Sequence, residues 1–388
     1  MFSKLLKPKS DQAVPVCKPL SDAQLRDRVR GSIFAGAVGD ALGYPIEFWN
    51  EKRIFGQYGK KGIRQYHMDP TTGTAIISDD TQMTLFTISS LLFGMYRQNE
   101  RGVSADPRHY AMFAYLGWLV TQTTDYSQKA LSAMEDFPGW ASFWVKDVPE
   151  LYHRRAPGIT CLSALNIRKE QLDNHEHIGD YTRSKINDSK GCGGIMRVAP
   201  LGLVMHHDHI DRLDMEGAQL AAITHSHSLG YMCAAVLTHI LSRILRPGTE
   251  MTLKQIVEEA RDTVAALFRE DPYIDELTRI IDLSIALSEN NKSDLSNIHK
   301  IGEGWVGEET LGIAIYCSLK YQNDFSKAIT VSVNHKGDSD STGAVTGNIM
   351  GALVGYDAIE EKWKKDLELG AFILDSADKL YDAFCVTY

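Results

Sequence analysis

Two stretches of this chain carry glycine or alanine at every fourth position, and no other feature restricts its folding so tightly. Gly31, Ala35, Gly39 and Gly43 recur through GSIFAGAVGDALG, and Gly343, Gly347, Gly351 and Gly355 recur through GAVTGNIMGALVG. A step of four residues returns to nearly the same side of a helix, so each stretch becomes a helix with one bare face. Such a face lets another helix approach at very short range or leaves room for a ligand, and both uses are open from spacing alone. Pro45 ends the first helix, because proline disfavours the helical conformation of the residue before it, and Glu47 then lies just past the turn. That carboxylate is suited to act as acid, base or ligand if a metal lies beside it; standing alone it reads as a surface acid.

Two acidic clusters stand near opposite ends of the chain, Ser78-Asp79-Asp80-Thr81 and Asp338-Ser339-Asp340-Ser341, each leading into an apolar helical run. Adjacent carboxylates repel, so a fold that brings such clusters together needs cations between them. Carboxylate and hydroxyl oxygens are hard ligands, which favours Mg²⁺ or Mn²⁺ over Zn²⁺. A plainer reading exists for both. Ser78 is a good N-cap with Asp79 and Asp80 where a helix start favours negative charge, and the second cluster reads as a solvated acidic turn.

Helical periodicity covers 25–43, 79–97, 108–122, 212–223, 228–246, 253–270, 274–288, 308–322, 340–355 and 361–385, the last carrying a stripe of Trp363, Leu367, Leu369, Phe372, Ile373, Leu380 and Tyr381. Strand-like alternation is confined to Ile63–Met68, and the polar segment 168–190 reads as a surface loop. With no repeat or low-complexity linker dividing the chain, the expectation is an all-α single domain over 25–388, preceded by a lysine- and proline-punctuated extension over 1–24. The extension is either a loose tail or a segment that docks on a partner or a site mouth.

Lys190-Gly-Cys-Gly-Gly-Ile-Met-Arg197 places three glycines in four positions, so Gly191, Cys192, Gly193 and Gly194 can turn backbone N–H groups toward a phosphate. It lacks the lysine and hydroxyl of a P-loop, and an ordinary tight turn fits as well. Thr224-His225-Ser226-His227 contains a His-x-His pair. The helical patterns on both sides argue against zinc and for capping by Thr224 or Ser226, and His206, His207 and His209 read as a solvated loop.

The 388 residues are 44% apolar and carry a net charge of −9, which argues against sequence-independent binding to nucleic acid or an anionic membrane. Six scattered cysteines without finger or thioredoxin spacing suggest free thiols in a reducing compartment. The N-terminus has no apolar stretch of signal-peptide length, and no uncharged apolar run reaches about 18 residues. The expected compartment is the cytoplasm.

Taken together and in this order, GSIFAGAVGDALGYPIEF, SDDTQMT, KGCGGIMRVAPLG, ITHSHSLGY and GDSDSTGAVTGNIMGALVG make residues 26–356 resemble the ADP-ribosylglycohydrolase family, including its dinitrogenase-reductase-activating group. The resemblance implies a compact all-α fold with a binuclear metal cleft, two Mg²⁺ or Mn²⁺ ions, and hydrolysis of the bond between ADP-ribose and a protein side chain. By motif it implies Ser78, Asp79, Asp80, Asp338, Asp340 and Ser341 as metal ligands, with Glu47, Asp79 and Asp340 in catalysis. Gly191, Cys192, Gly193, Gly194 and His225 would contact the ADP-ribose. Several relatives carry Asn where this chain has Cys192, so a polar contact there weakens to that of a thiol. The His-x-His pair and the GDSDST form favour arginine over serine as the modified residue. The implied settings are reversal of a regulatory modification, or immunity to an ADP-ribosylating toxin that the 1–24 extension would also bind. A non-catalytic ADP-ribose- or toxin-binding module and a hydrolase of serine-linked or small-molecule substrates are the alternatives.

Overall fold

The two bare helix faces pack against each other. The structure, a computed structural model, describes residues 20–102, 106–136, 144–204, 209–246 and 251–385. Helix Asp22–Gly43 lies antiparallel to helix Ser339–Val354. A methyl carbon added at Gly39 would sit 2.0 Å from the Gly343 carbonyl oxygen, one at Gly31 2.3 Å from that of Gly351, and one at Gly43 2.2 Å from that of Ser339. The four-residue steps therefore run in opposite directions in one register, backbone against backbone. Midway, Ser32 Oγ donates to the Asn348 carbonyl at 2.9 Å and Asn348 Nδ2 donates to the Ser32 carbonyl at 3.0 Å. That reciprocal pair satisfies the Ser32 hydroxyl and the Asn348 amide nitrogen, which the seam would otherwise bury unpaired.

The other helices wrap this pair, giving seventeen α-helices and no strand among the described residues. Helix Ser228–Leu245 is long and apolar enough to cross a membrane, but 89% of it is buried inside the protein, where it packs on Ile210–Ala222, Ala199–Val204 and Gly307–Lys320. One contiguous apolar core joins residues from Val29 to Tyr381. The expected all-α class holds, and the first helix starts at Asp22, earlier than periodicity indicated, because Ser21 and Gln24 form a capping box. Residues 1–19, including Cys17 and most of the extension, lie outside the described residues, as do His206 and His207.

Three expectations are corrected. The continuous helix over 361–385 is two, Glu361–Lys364 and Gly370–Cys385. Between them Asp366 and Leu369 take positive φ, and the chain pairs with Ala75 through Ala75 N–H to Asp366 O at 2.7 Å and Glu368 N–H to Ala75 O at 2.9 Å. Ile63–Met68 forms no strand, because the Ile63 backbone is paired by a side chain: Asn334 Oδ1 accepts its N–H and Asn334 Nδ2 donates to its carbonyl, both at 2.8 Å. Segment 168–190 is not all surface loop. Helix Ile159–Asp173 claims its beginning, and Arg168 is fully buried, donating to the Ile223 carbonyl and the Ser184 hydroxyl.

Candidate functional site

The seam register decides what meets at its end. Because Gly43 abuts Ser339, the turn after the first helix and the start of the second lie side by side. Pro45 sits in a short 3-10 turn, Tyr44–Ile46, and Glu47 follows it, buried rather than on the surface. One carboxylate oxygen each from Glu47, Asp338 and Asp340 lies within 4.8 Å of the others. Asp338 also caps its helix by accepting the Ser341 N–H at 3.2 Å.

The first acidic cluster is brought in by helix Asp79–Arg101. Ser78 caps it, its hydroxyl accepting the Asp80 N–H, as the sequence indicated. The helix start is also held from outside by Asp40, a residue that sequence reasoning passed over. Its fully buried carboxylate accepts the Ser78 N–H at 3.0 Å, the Thr81 N–H at 3.1 Å and the Thr81 hydroxyl. Ser341 Oγ then donates to Asp80 Oδ2 at 2.9 Å, so residues 261 positions apart touch. One oxygen of Asp79 takes the Gly158 N–H at 3.3 Å. The structure thus places Glu47, Asp79, Asp80, Asp338, Asp340 and Ser341 together, while Ser78 contributes its hydroxyl to the helix cap.

Crowding this many carboxyl groups in a dry site raises their proton affinity. Burial, then Asp340 and Asp338, pushes Glu47 up to about 11, and burial with Asp340 pushes Asp40 up to about 7. Asp79 and Asp80 rise well above the usual carboxylate range through burial and then Asp340; Asp340 rises through burial and then Asp338. Glu47 Oε2 is buried and has no hydrogen-bond partner among the described residues. Repelling hard oxygens this close together, with an orphaned acceptor beside them, fit a divalent cation, which would neutralise the cluster.

The glycine loop runs beside this cluster as a 3-10 turn, Cys192–Gly194. The Cys192 thiol donates to Asp338 Oδ2 at 2.7 Å, and burial beside Asp338 raises its pKa well above that of an ordinary thiol. Two loop N–H groups are engaged within the protein, Gly191 with Ser189 Oγ and Cys192 with the Trp305 carbonyl, each at 3.3 Å. The loop rests on His225, whose ring a methyl carbon at Gly193 would approach to 2.9 Å. Neither Thr224 nor Ser226 caps the following helix; His227 does, accepting the Leu229 N–H. Thr224 Oγ1 accepts from Arg197 Nη2 at 2.7 Å and shares a hydrogen bond with His225 Nδ1 at 2.8 Å, which leaves Nε2 facing the loop. Burial, reinforced by Arg197, depresses His225 to about 3, so the ring is neutral.

Arg197, fully buried and also donating to the Gly193 carbonyl at 2.7 Å, is a second residue the sequence reading missed. Its only signal was a cation inside an apolar run. At the solvent edge Phe48, next to Glu47, stacks on Trp305 with ring centroids 5.7 Å apart.

The sequence model of the ADP-ribosylglycohydrolase family matches residues 21–388. ADP-ribosyl-[dinitrogen reductase] glycohydrolase of Rhodospirillum rubrum is 22% identical over 90% of this chain and 93% of its own. ADP-ribosylhydrolase ARH3 of Homo sapiens is 27% identical over 46% of this chain and 54% of its own. A solved structure described as an ADP-ribosylglycohydrolase-related protein complex superposes with a TM-score of 0.61 at 22% identity, covering 93% of this chain and 99% of that one, which is a likeness of fold.

Proposed function

The chain belongs to the ADP-ribosylglycohydrolase family, and from that premise we propose that it removes ADP-ribose from modified arginine side chains of proteins. The observation that carries the reading is the convergence of distant acids: Ser341 Oγ on Asp80 Oδ2, with Glu47, Asp338 and Asp340 within 4.8 Å. Ser78, Asp79, Asp80, Asp338, Asp340 and Ser341 would hold two divalent cations, Mg²⁺ or Mn²⁺, the Ser78 hydroxyl keeping a lone pair beside its cap bond. Bound there, they supply Lewis acidity toward ribose hydroxyls and water. The loop 191–194, held by Arg197 and His225, orients the pyrophosphate remotely from the reacting carbon. As the bond from the ribose C1′ to the guanidino nitrogen breaks, the carboxylates around it stabilise the positive charge that develops on the sugar. Water adds its oxygen to C1′, and one of its hydrogens ends on the departing arginine nitrogen. We assign that transfer to Glu47, because its buried Oε2 has no partner among the described residues competing for the proton.

The arginine reading rests on the His-x-His pair and the GDSDST form; the match to the Rhodospirillum rubrum protein runs along nearly its whole length, compared with about half of ARH3. Of the two settings, we propose toxin immunity, with residues 1–24 contacting a cognate ADP-ribosyltransferase and the work done in the cytoplasm. Cys161, Cys192, Cys233 and Cys317 are free thiols, which suits a reducing compartment. A panel of proteins modified on arginine or on serine, assayed for ADP-ribose release with Mg²⁺, Mn²⁺ or chelator, tests the activity. Cation-dependent release from arginine is expected, and release from serine alone would overturn the linkage. Deleting residues 1–19, which spares the Ser21–Gln24 capping box, should abolish co-purification with the transferase while leaving hydrolysis intact; unchanged co-purification removes the partner.

A further inference from the structure

A groove of roughly 680 Å³ on this acidic protein is lined by five cationic side chains, Lys60, Lys61, Arg64, Lys327 and Lys362, against two carboxylates, Asp294 and Asp324. Both carboxylates are already engaged. Asp294 accepts from Tyr316 and Tyr321 and pairs with Lys320 at 3.0 Å, and Asp324 caps its helix through the Lys327 N–H at 2.9 Å. Lys60, Lys61, Arg64 and Lys362 have no carboxylate partner among the described residues and are exposed.

The loop that carries three of them is built. Ile63 is buried with both backbone groups bound by the Asn334 amide, and Gly62, at φ +67°, lets the chain press on that amide, where a methyl carbon would fall 1.8 Å from Oδ1. The floor is apolar: Ile298 and Val331 are buried, Phe55 and Leu295 half-buried.

We propose that this groove docks an acidic, partly apolar segment of the ADP-ribosylated protein substrate. The inference rests on the hydrolase reading for the word substrate. An unpaired basic rim over an apolar floor complements a peptide that alternates carboxylates with apolar side chains. A compact phosphate would gain most from oriented backbone N–H groups beside the cations, and the two helix starts that border the groove are capped by Ser293 and Asp324. Helix Glu51–Tyr58 links the regions, starting just past Glu47 and bringing Phe55 to the groove; its eight residues span about 12 Å. An extended substrate covers that distance in about four residues.

The test uses synthetic peptides ADP-ribosylated on one arginine, with a Glu-Leu-Glu-Phe-Glu flank beginning four residues away on either side, or the same flank with Gln for Glu. At low salt the wild-type protein is expected to prefer the acidic flank by about tenfold in kcat/KM. The triple variant Lys60→Glu/Lys61→Glu/Arg64→Glu should lose that preference while keeping full turnover of free ADP-ribosyl-arginine, which also reports correct folding. Fluorescence anisotropy with the unmodified acidic peptide reads docking without turnover. Binding without hydrolysis of any substrate would sink the hydrolase reading and leave the groove standing. No flank preference in the wild type, a preference that survives in the triple variant, or tripolyphosphate binding the groove more tightly than the peptide would overturn the proposal.

Discussion

Along the seam between Asp22–Gly43 and Ser339–Val354 the chain has almost no side chains, whereas at the seam's end it crowds Asp40, Glu47, Asp79, Asp80, Asp338 and Asp340. The first region is held by close backbone contact and one reciprocal amide–hydroxyl pair, none of which titrates. The second is a set of groups that repel in water-free surroundings and are kept together only because the frame around them does not yield. Rigidity and reactivity are thus placed on adjacent turns of the same two helices. Solution conditions should move one region and leave the other alone.

The largest break in that contrast should come from filling the seam. Gly39→Val puts a branched side chain where even a methyl carbon is 2.0 Å from a carbonyl oxygen, and folded soluble protein should be lost. Gly56→Ala, where nothing lies within 4 Å, should be neutral or stabilising by about 0.5–1 kcal/mol in thermal or urea unfolding.

Next in size, Asp340→Ala should lower ADP-ribose release by about a thousandfold and yet raise the unfolding temperature of chelator-treated protein by about 2–4 °C, since it removes the charge that most raises its neighbours. A fall in both quantities would mean that the acid end is part of the frame.

Chelation should expose a pH dependence of definite sign. The acid-end carboxyls have folded pKa values raised by burial and mutual repulsion, so their contribution is complete below about pH 4 and is lost as pH climbs through the folded values, about 7 for Asp40. Cation-free protein should therefore melt at lower temperature at pH 8 than at pH 5, and added Mg²⁺ or Mn²⁺ should flatten the trend. The smallest effect belongs to Cys192→Ser, which keeps a donor to Asp338 and should change turnover less than about threefold.

What could be read from the sequence divides along the same line. Both glycine helices were legible because four-residue spacing is a local signal, and the acidic clusters because adjacent carboxylates and hydroxyls form a local pattern. The pairing of the bare faces was not, since spacing alone equally suits a ligand. Asp40 hid inside the glycine helix, its role visible only once the Ser78 turn was folded against it. Arg197 looked like punctuation in an apolar run; what it holds, the Gly193 carbonyl and Thr224, comes from segments up to 27 residues away. Short helices such as Glu51–Tyr58 and Phe325–Val333 escaped because two turns carry too little periodicity.

The partners in the seam are separated by 316 positions, as Ser32 and Asn348 show. During synthesis at roughly 5–20 residues per second, the first helix waits on the order of 15–60 s before its mate leaves the ribosome. Until then its glycine groove is open, and the acids that would trap cations are on opposite sides of an unfinished chain. Catalytic competence therefore arrives in a single late event, and a ribosome that stalls before residue 339 releases a product with no partial activity to misdirect.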